Sequence, residues 1–217
     1  MEAPMPADLA AVATTLRAEL SARYSTDEIT PDTWWLSLSR TALGAVALLP
    51  AMMWLRQVID VLDAETASRS VCLPKIGGEG AVIVYSAAAL ADPLETIETC
   101  AHEHEHARVL KSDPDLQVAM DYTSGELRAT TEARAYAVGA FARYVVTGQW
   151  QTADEIVAPL AHGYLLSASE RAHAAALVAS HLASMRAGVV PSLEVCHVVL
   201  EILRAKHSGA IVVEAFR

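Results

Sequence analysis

Cysteine is scarce in this chain: Cys72, Cys100 and Cys196, an odd number with no CxxC pair. That excludes a disulfide framework and a cysteine zinc site, and it fits a reducing, cytoplasmic setting. Aromatic residues make up only 6% while alanine abounds, which favours helix packed closely on helix. Basic charge is lacking too. A formal net charge of −10 argues against bulk binding to nucleic acid or to an anionic membrane. Met1 to Ala13 has acidic residues and no basic segment, unlike a secretory signal. Long apolar runs are also missing. The most apolar stretch, Thr41 to Leu55, is framed by Arg40 and Arg56 and broken by Pro50. It falls short of the ~20 residues that span a bilayer and reads as a buried helix.

What is present is a concentration of chemistry between Thr99 and His106, which contains H-E-x-x-H as His102, Glu103 and His106. On a helix, residues four apart lie one turn above each other, so the two imidazoles can share one ion. Glu103 falls about 100° round the helix from His102, beside such an ion, where a carboxylate could take a proton from an activated water. On a strand, His102, His104 and His106 would instead share one side. The flanks favour the helix. Asp92 is a good N-cap, Pro93 suits the first helical position and Glu95 completes a capping box. Small or apolar residues follow at Leu94, Ile97 and Ala101, and Lys111-Ser112-Asp113-Pro114 closes the run. The pattern predicts a helix over 93–111, with His104 turned away from the ligand pair as a solvated or packing histidine.

Tetrahedral zinc in a catalytic site takes three protein ligands, so a third is needed. Two glutamates compete. Glu126 lies in the capping box Thr123-Ser124-Gly125-Glu126, which gives it a structural task, at the start of a helix running to about Val146. Glu132 sits mid-helix among Ala129, Ala133 and Ala137, small residues that allow the close helix approach a metal site needs. Glu132 is preferred, with an i,i+4 ion pair to Arg128 as its plainer role.

Elsewhere, Leu9, Val12, Leu16 and Leu20 mark an amphipathic helix over 7–23. Thr30-Pro31-Asp32 opens a second helix that carries Trp34, Trp35 and Leu36 toward Asp63. Ser70 to Glu79 breaks the helical pattern with Pro74 and Gly77-Gly78, and Gly80 to Ser86 reads as a strand. Beyond Gly148, helices are expected from Thr152 or Asp154 to Ala161, from Ser167-x-x-Glu170 to Met185, and from Pro191-Ser192 to Lys206. Ala210 to Phe216 reads as a terminal strand that could pair with 81–85.

Strand Ala81 to Tyr85, then Thr99-x-Ala101-His102-Glu103-x-x-His106, then Glu132-Ala133-x-x-Tyr136-Ala137 together resemble the compact gluzincins of the ImmA/IrrE type. The resemblance covers roughly residues 80–140; Glu105 and Thr130 stand where that family often has Gly and Glu. It implies an α+β, predominantly helical fold, with a zincin-like core and a short sheet preceding the HExxH helix. An N-terminal helical segment (1–70), the metal-binding core (71–148) and C-terminal helices with the terminal strand (149–217) would pack as one domain. It implies Zn2+ held by His102, His106 and Glu132, Glu103 as general base, and a peptide or protein substrate received along an edge strand at 81–85, for which a buried structural strand is the equal alternative. Tyr122 or Tyr136 could hydrogen-bond the reacting carbonyl, Tyr136 being better placed as a packing aromatic. His162, His173, His181, His197 and His207 give no ground for choosing another catalytic group.

Two other classes fit parts of the pattern. Glu103-x-x-His106 and Glu170-x-x-His173, with Glu132 between them and Asp63 or Glu65 before, match the order of ferritin-like di-iron bundles. A non-catalytic helical interaction protein would leave every histidine incidental.

Overall fold

The computed structural model describes residues 8–31, 61, 70–74, 80–112, 125–163 and 166–217. The apolar stretch Thr41 to Leu55, the residues Asp63, Glu65 and Tyr122, and the Thr123-Ser124 part of the second capping box lie outside them. Helix α1 (Leu9–Tyr24) begins where Asp8 accepts hydrogen bonds from the amides of Ala10 and Ala11. It buries Val12, Leu16, Leu20 and Tyr24, one residue per turn along a single stripe. Ser25, in the left-handed conformation, ends the helix and turns the chain into β1 (Thr26–Ile29).

With β2 (Ser70–Pro74) and β3 (Ala81–Tyr85), β1 forms a three-stranded sheet in the order β1-β3-β2. β1 runs parallel to β3, and β2 antiparallel to it. Of the two readings of 81–85, edge strand or buried structural strand, the structure has the buried, central one. Its residues explain this, since Ala81, Ile83, Val84 and Tyr85 are all fully buried, as a strand covered on both faces requires. Gly80 makes the entry into β3 possible: its φ is +100°, and a Cβ there would stand 2.4 Å from the Ser25 carbonyl oxygen.

The other regular elements among the described residues are the helices α2 (Ala87–Ala91), α3 (Pro93–Ser112), α4 (Gly125–Thr147), α5 (Ala153–Gly163), α6 (Ala168–Arg186) and α7 (Glu194–Lys206). Asp92 caps α3 as expected, accepting from the amides of Leu94 and Glu95. Ser167 and Glu170 complete a reciprocal capping box at the start of α6. Helix α4 packs along α3 through the fully buried Ala129, Ala133 and Ala137. At Gly139 the approach is closer still, because a Cβ would stand 2.9 Å from the Glu98 carbonyl oxygen. Arg143 of α4 ties off this end of the helix pair by bonding Glu98 at 2.9 Å.

No terminal strand forms at 210–216. Two short 3-10 turns, Ser208–Ala210 and Glu214–Phe216, carry the chain instead. Ala210, Ile211 and Phe216 are buried: Phe216 lies edge-on to Phe141 with centroids 5.3 Å apart, and the backbone amide of exposed Val212 bonds the Val145 carbonyl at 3.0 Å. Leu16, Ile97, Phe141 and Leu203 belong to one hydrophobic cluster, so the N-terminal helix, the middle segment and the C-terminal helices share a core. The fold is predominantly helical with a small mixed sheet. Among the described residues, no helix is long and apolar enough to cross a membrane.

Candidate metal centre

Helix α3 sets His102 and His106 one turn apart, and the close α3–α4 packing brings Glu132 up to both. The two Nε2 atoms are 3.2 Å apart, and Glu132 Oε2 lies 3.6 Å from each. All three residues are buried within a helix pair, with 6–9% of their surface exposed. Bonds of about 2.0–2.2 Å at tetrahedral angles place neighbouring donor atoms roughly 3.3–3.6 Å apart, so this triangle has the size of a zinc ligand set. The donors are two imidazoles and a carboxylate, with no thiolate, and they form the one group of this kind among the described residues. The other ring nitrogen of His106, Nδ1, is buried with no hydrogen-bond partner among the described residues.

Electrostatics divides the two histidines. Burial, reinforced by the neighbouring His106, pushes His102 down to about 3. Burial also works against a charge on His106, but Glu132, with Glu103 and Glu105 behind it, outweighs burial and holds it at about 9. Near neutral pH a proton thus sits on His106, supplying the positive charge that a bound cation would replace.

Glu103 stands beside the trio and outside it. Its Oε1 is 3.9 Å from His102 Nε2 and accepts a 2.5 Å hydrogen bond from the hydroxyl of Ser70, the first residue of β2. Burial pushes the Glu103 carboxyl up to about 7, a shift that a nearby cation would oppose. Tyr136, one turn beyond Glu132, sets its ring edge-on to His102 with centroids 4.5 Å apart and an interplanar angle of 83°. That contact is the packing role its motif position suggests.

The rest of α3 has other business. His104 is fully buried rather than solvated. Its Nδ1 lies 2.8 Å from the Cys100 carbonyl oxygen, which only accepts, so Nδ1 carries the proton and Nε2 accepts from the Thr26 hydroxyl at 3.2 Å. Burial pushes this histidine down to about 4, which keeps it neutral. Glu105, also fully buried, takes Arg108 Nε and Nη2 at 2.9 and 2.8 Å and Arg134 Nη2 at 3.2 Å.

Glu126, the rival third ligand, is exposed in the first turn of α4 and lies outside the trio. The second half of the di-iron pattern also lies elsewhere. Glu170 is engaged with Ser167 at the start of α6, and His173 Nε2 is 3.0 Å from the Thr130 hydroxyl. Neither joins the His102, His106 and Glu132 group, nor do His181, His197 or His207. Ser70 is the site residue that sequence reasoning missed. It falls in a stretch that shows only helix-breaking signals, and its contact with Glu103 spans 33 positions. Compared with known proteins, the chain matches no family model, no curated protein and no solved structure, so the likeness to gluzincins rests on the motif segments themselves.

Proposed function

We propose that this chain is a zinc-dependent metallopeptidase of the gluzincin type, with His102, His106 and Glu132 as ligands and Glu103 as general base. The observation that carries the reading is the donor triangle, whose 3.2, 3.6 and 3.6 Å edges suit three ligands of one tetrahedral ion. His102, His106 and Glu132 would hold the zinc, which when bound would supply Lewis-acid polarisation of a carbonyl and a water of pKa ~7. Glu103, adjacent to the triangle, accepts the proton of the attacking water and returns it to the leaving amine. Tyr136 fixes the plane of the His102 ring, so the ligand pair keeps its aim. With β3 central among the described strands, an outer strand would receive the peptide, and β2 is the outer described strand that touches Glu103.

A peptide-library digest with wild type and Glu103→Gln, both checked for zinc, tests this reading. The variant keeps its shape and its metal but loses the basic oxygen, so cleavage falls by roughly 10²–10⁴-fold. Equal cleavage by the two proteins removes Glu103 from the mechanism, and absence of cleavage by wild type removes the peptidase.

A further inference from the structure

The distances around Glu103 pose a question that the proposed mechanism leaves open. A carboxylate on a flexible side chain, with one oxygen 3.9 Å from a ligand nitrogen, is close enough to swing in as a fourth protein ligand. A site closed by four protein ligands is structural; a catalytic one keeps a position open. Whatever restrains Glu103 therefore decides which kind of site this is.

That restraint is Ser70. Its hydroxyl donates to Oε1, the same oxygen that faces His102, and at 2.5 Å the bond is as short as charge-assisted O–H···O bonds become. Ser70 opens β2, whose register is fixed by antiparallel pairing from Ser70 opposite Tyr85 to Pro74 opposite Ala81. The hydroxyl is thereby held by the sheet, while Glu103 is held by the helix, and the bond joins the two elements. We infer that Ser70 is a positioning residue that holds Glu103 out of the ligand set and so keeps the fourth position open to water and substrate. This rests on the proposed metal site and adds to it a role for the sheet.

The inference has a sign that ordinary support of a metal site lacks. Loss of a partner that merely steadies ligands weakens metal binding, typically by 10–100-fold. Loss of Ser70 should instead leave binding as tight or tighter, because Glu103 joins the ligands, while peptide cleavage falls by about 10–100-fold. The test uses the full chain, stripped of metal and titrated with cobalt(II), whose visible absorption reports ligand number and type. Azide is then added as a probe of the open position. Wild type should change its spectrum with azide. Ser70→Ala should bind cobalt at least as tightly and ignore azide, and adding Glu103→Gln to that variant should restore the response. Ser70→Thr and Ser70→Val, nearly equal in shape and differing by the hydroxyl, repeat the comparison without a cavity: Thr should behave as wild type and Val as Ala. An azide response retained in Ser70→Ala and Ser70→Val overturns the inference, as does a loss of cobalt affinity in both with the fold intact. Failure of wild type to bind cobalt is a separate result, which overturns the metal site and this inference with it.

Discussion

Helix α3 carries two buried polar clusters within a few residues of each other, and they are built in opposite ways. Glu105 meets Arg108 and Arg134, so its charge is matched and its oxygens are filled. His104, on the same side of the account, finds an acceptor for its proton and a donor for its lone pair. His102, His106 and Glu132 instead aim electron-rich atoms at one another, with a single proton to reconcile them. A buried cluster that satisfies itself needs nothing from outside and serves as scaffold. A cluster of converging donors gains from a cation placed among them, so the His102, His106 and Glu132 group could hold a metal ion.

Mutation should separate the clusters, and the largest effect on stability belongs to the self-satisfied one. Glu105→Ala leaves Arg108 and Arg134, whose side chains are 18% and 38% exposed, without the carboxylate they share. Because both heads keep some access to water, the cost should lie near the lower end for a broken buried pair, about 3 kcal/mol. Urea unfolding measures it, and the folded variant should still take up zinc. If Glu105→Ala abolishes metal uptake while remaining folded, the two clusters are one unit and the comparison fails.

The donor trio should respond to metal more than to mutation of its neighbours. Zinc at one hundred times its Kd should stabilise wild type by ~2.7 kcal/mol, and chelation should remove that increment. Glu105→Ala should show the same gain from a lower baseline, whereas Glu132→Ala should lose most of it. Unfolding curves with and without zinc compare the three proteins directly.

Smaller effects sharpen the boundary of the site. Glu170→Ala breaks the capping box of α6 and should lower the thermal midpoint slightly, with metal content unchanged. Glu126→Ala, on an exposed first turn, should cost about 0.5 kcal/mol through the helix dipole and likewise leave the metal in place. Loss of metal from the first variant would revive a di-iron arrangement. Loss from the second would return the third ligand to Glu126.

The trio was legible in the sequence because its geometry is mostly local. The H-E-x-x-H spacing fixes two ligands on one helix face, and Asp92 with Pro93 announces that helix. Glu132 was legible for a related reason: the alanines around it permit the close packing that the structure has. The sheet was not legible. Thr26 to Ile29 lacks the alternation of a strand and becomes one only by pairing with β3. That pairing makes β3 central, and no local signal carries it. Ser70 was hidden for the same reason, since a hydroxyl at the edge of a helix-breaking stretch says nothing of a carboxylate brought to it by the tertiary fold. At the other end, Ile211 and Phe216 look like strand residues yet are buried against helices, where packing satisfies the same apolar pattern.

Three converging donors should hold one zinc ion. Elemental analysis of the full chain, purified without added metal, tests it most directly when wild type is compared with His102→Ala and Glu132→Ala. About one zinc per wild-type chain is expected, with a marked loss in both variants. Two equivalents of iron in wild type, or full zinc occupancy in folded His102→Ala, would contradict it.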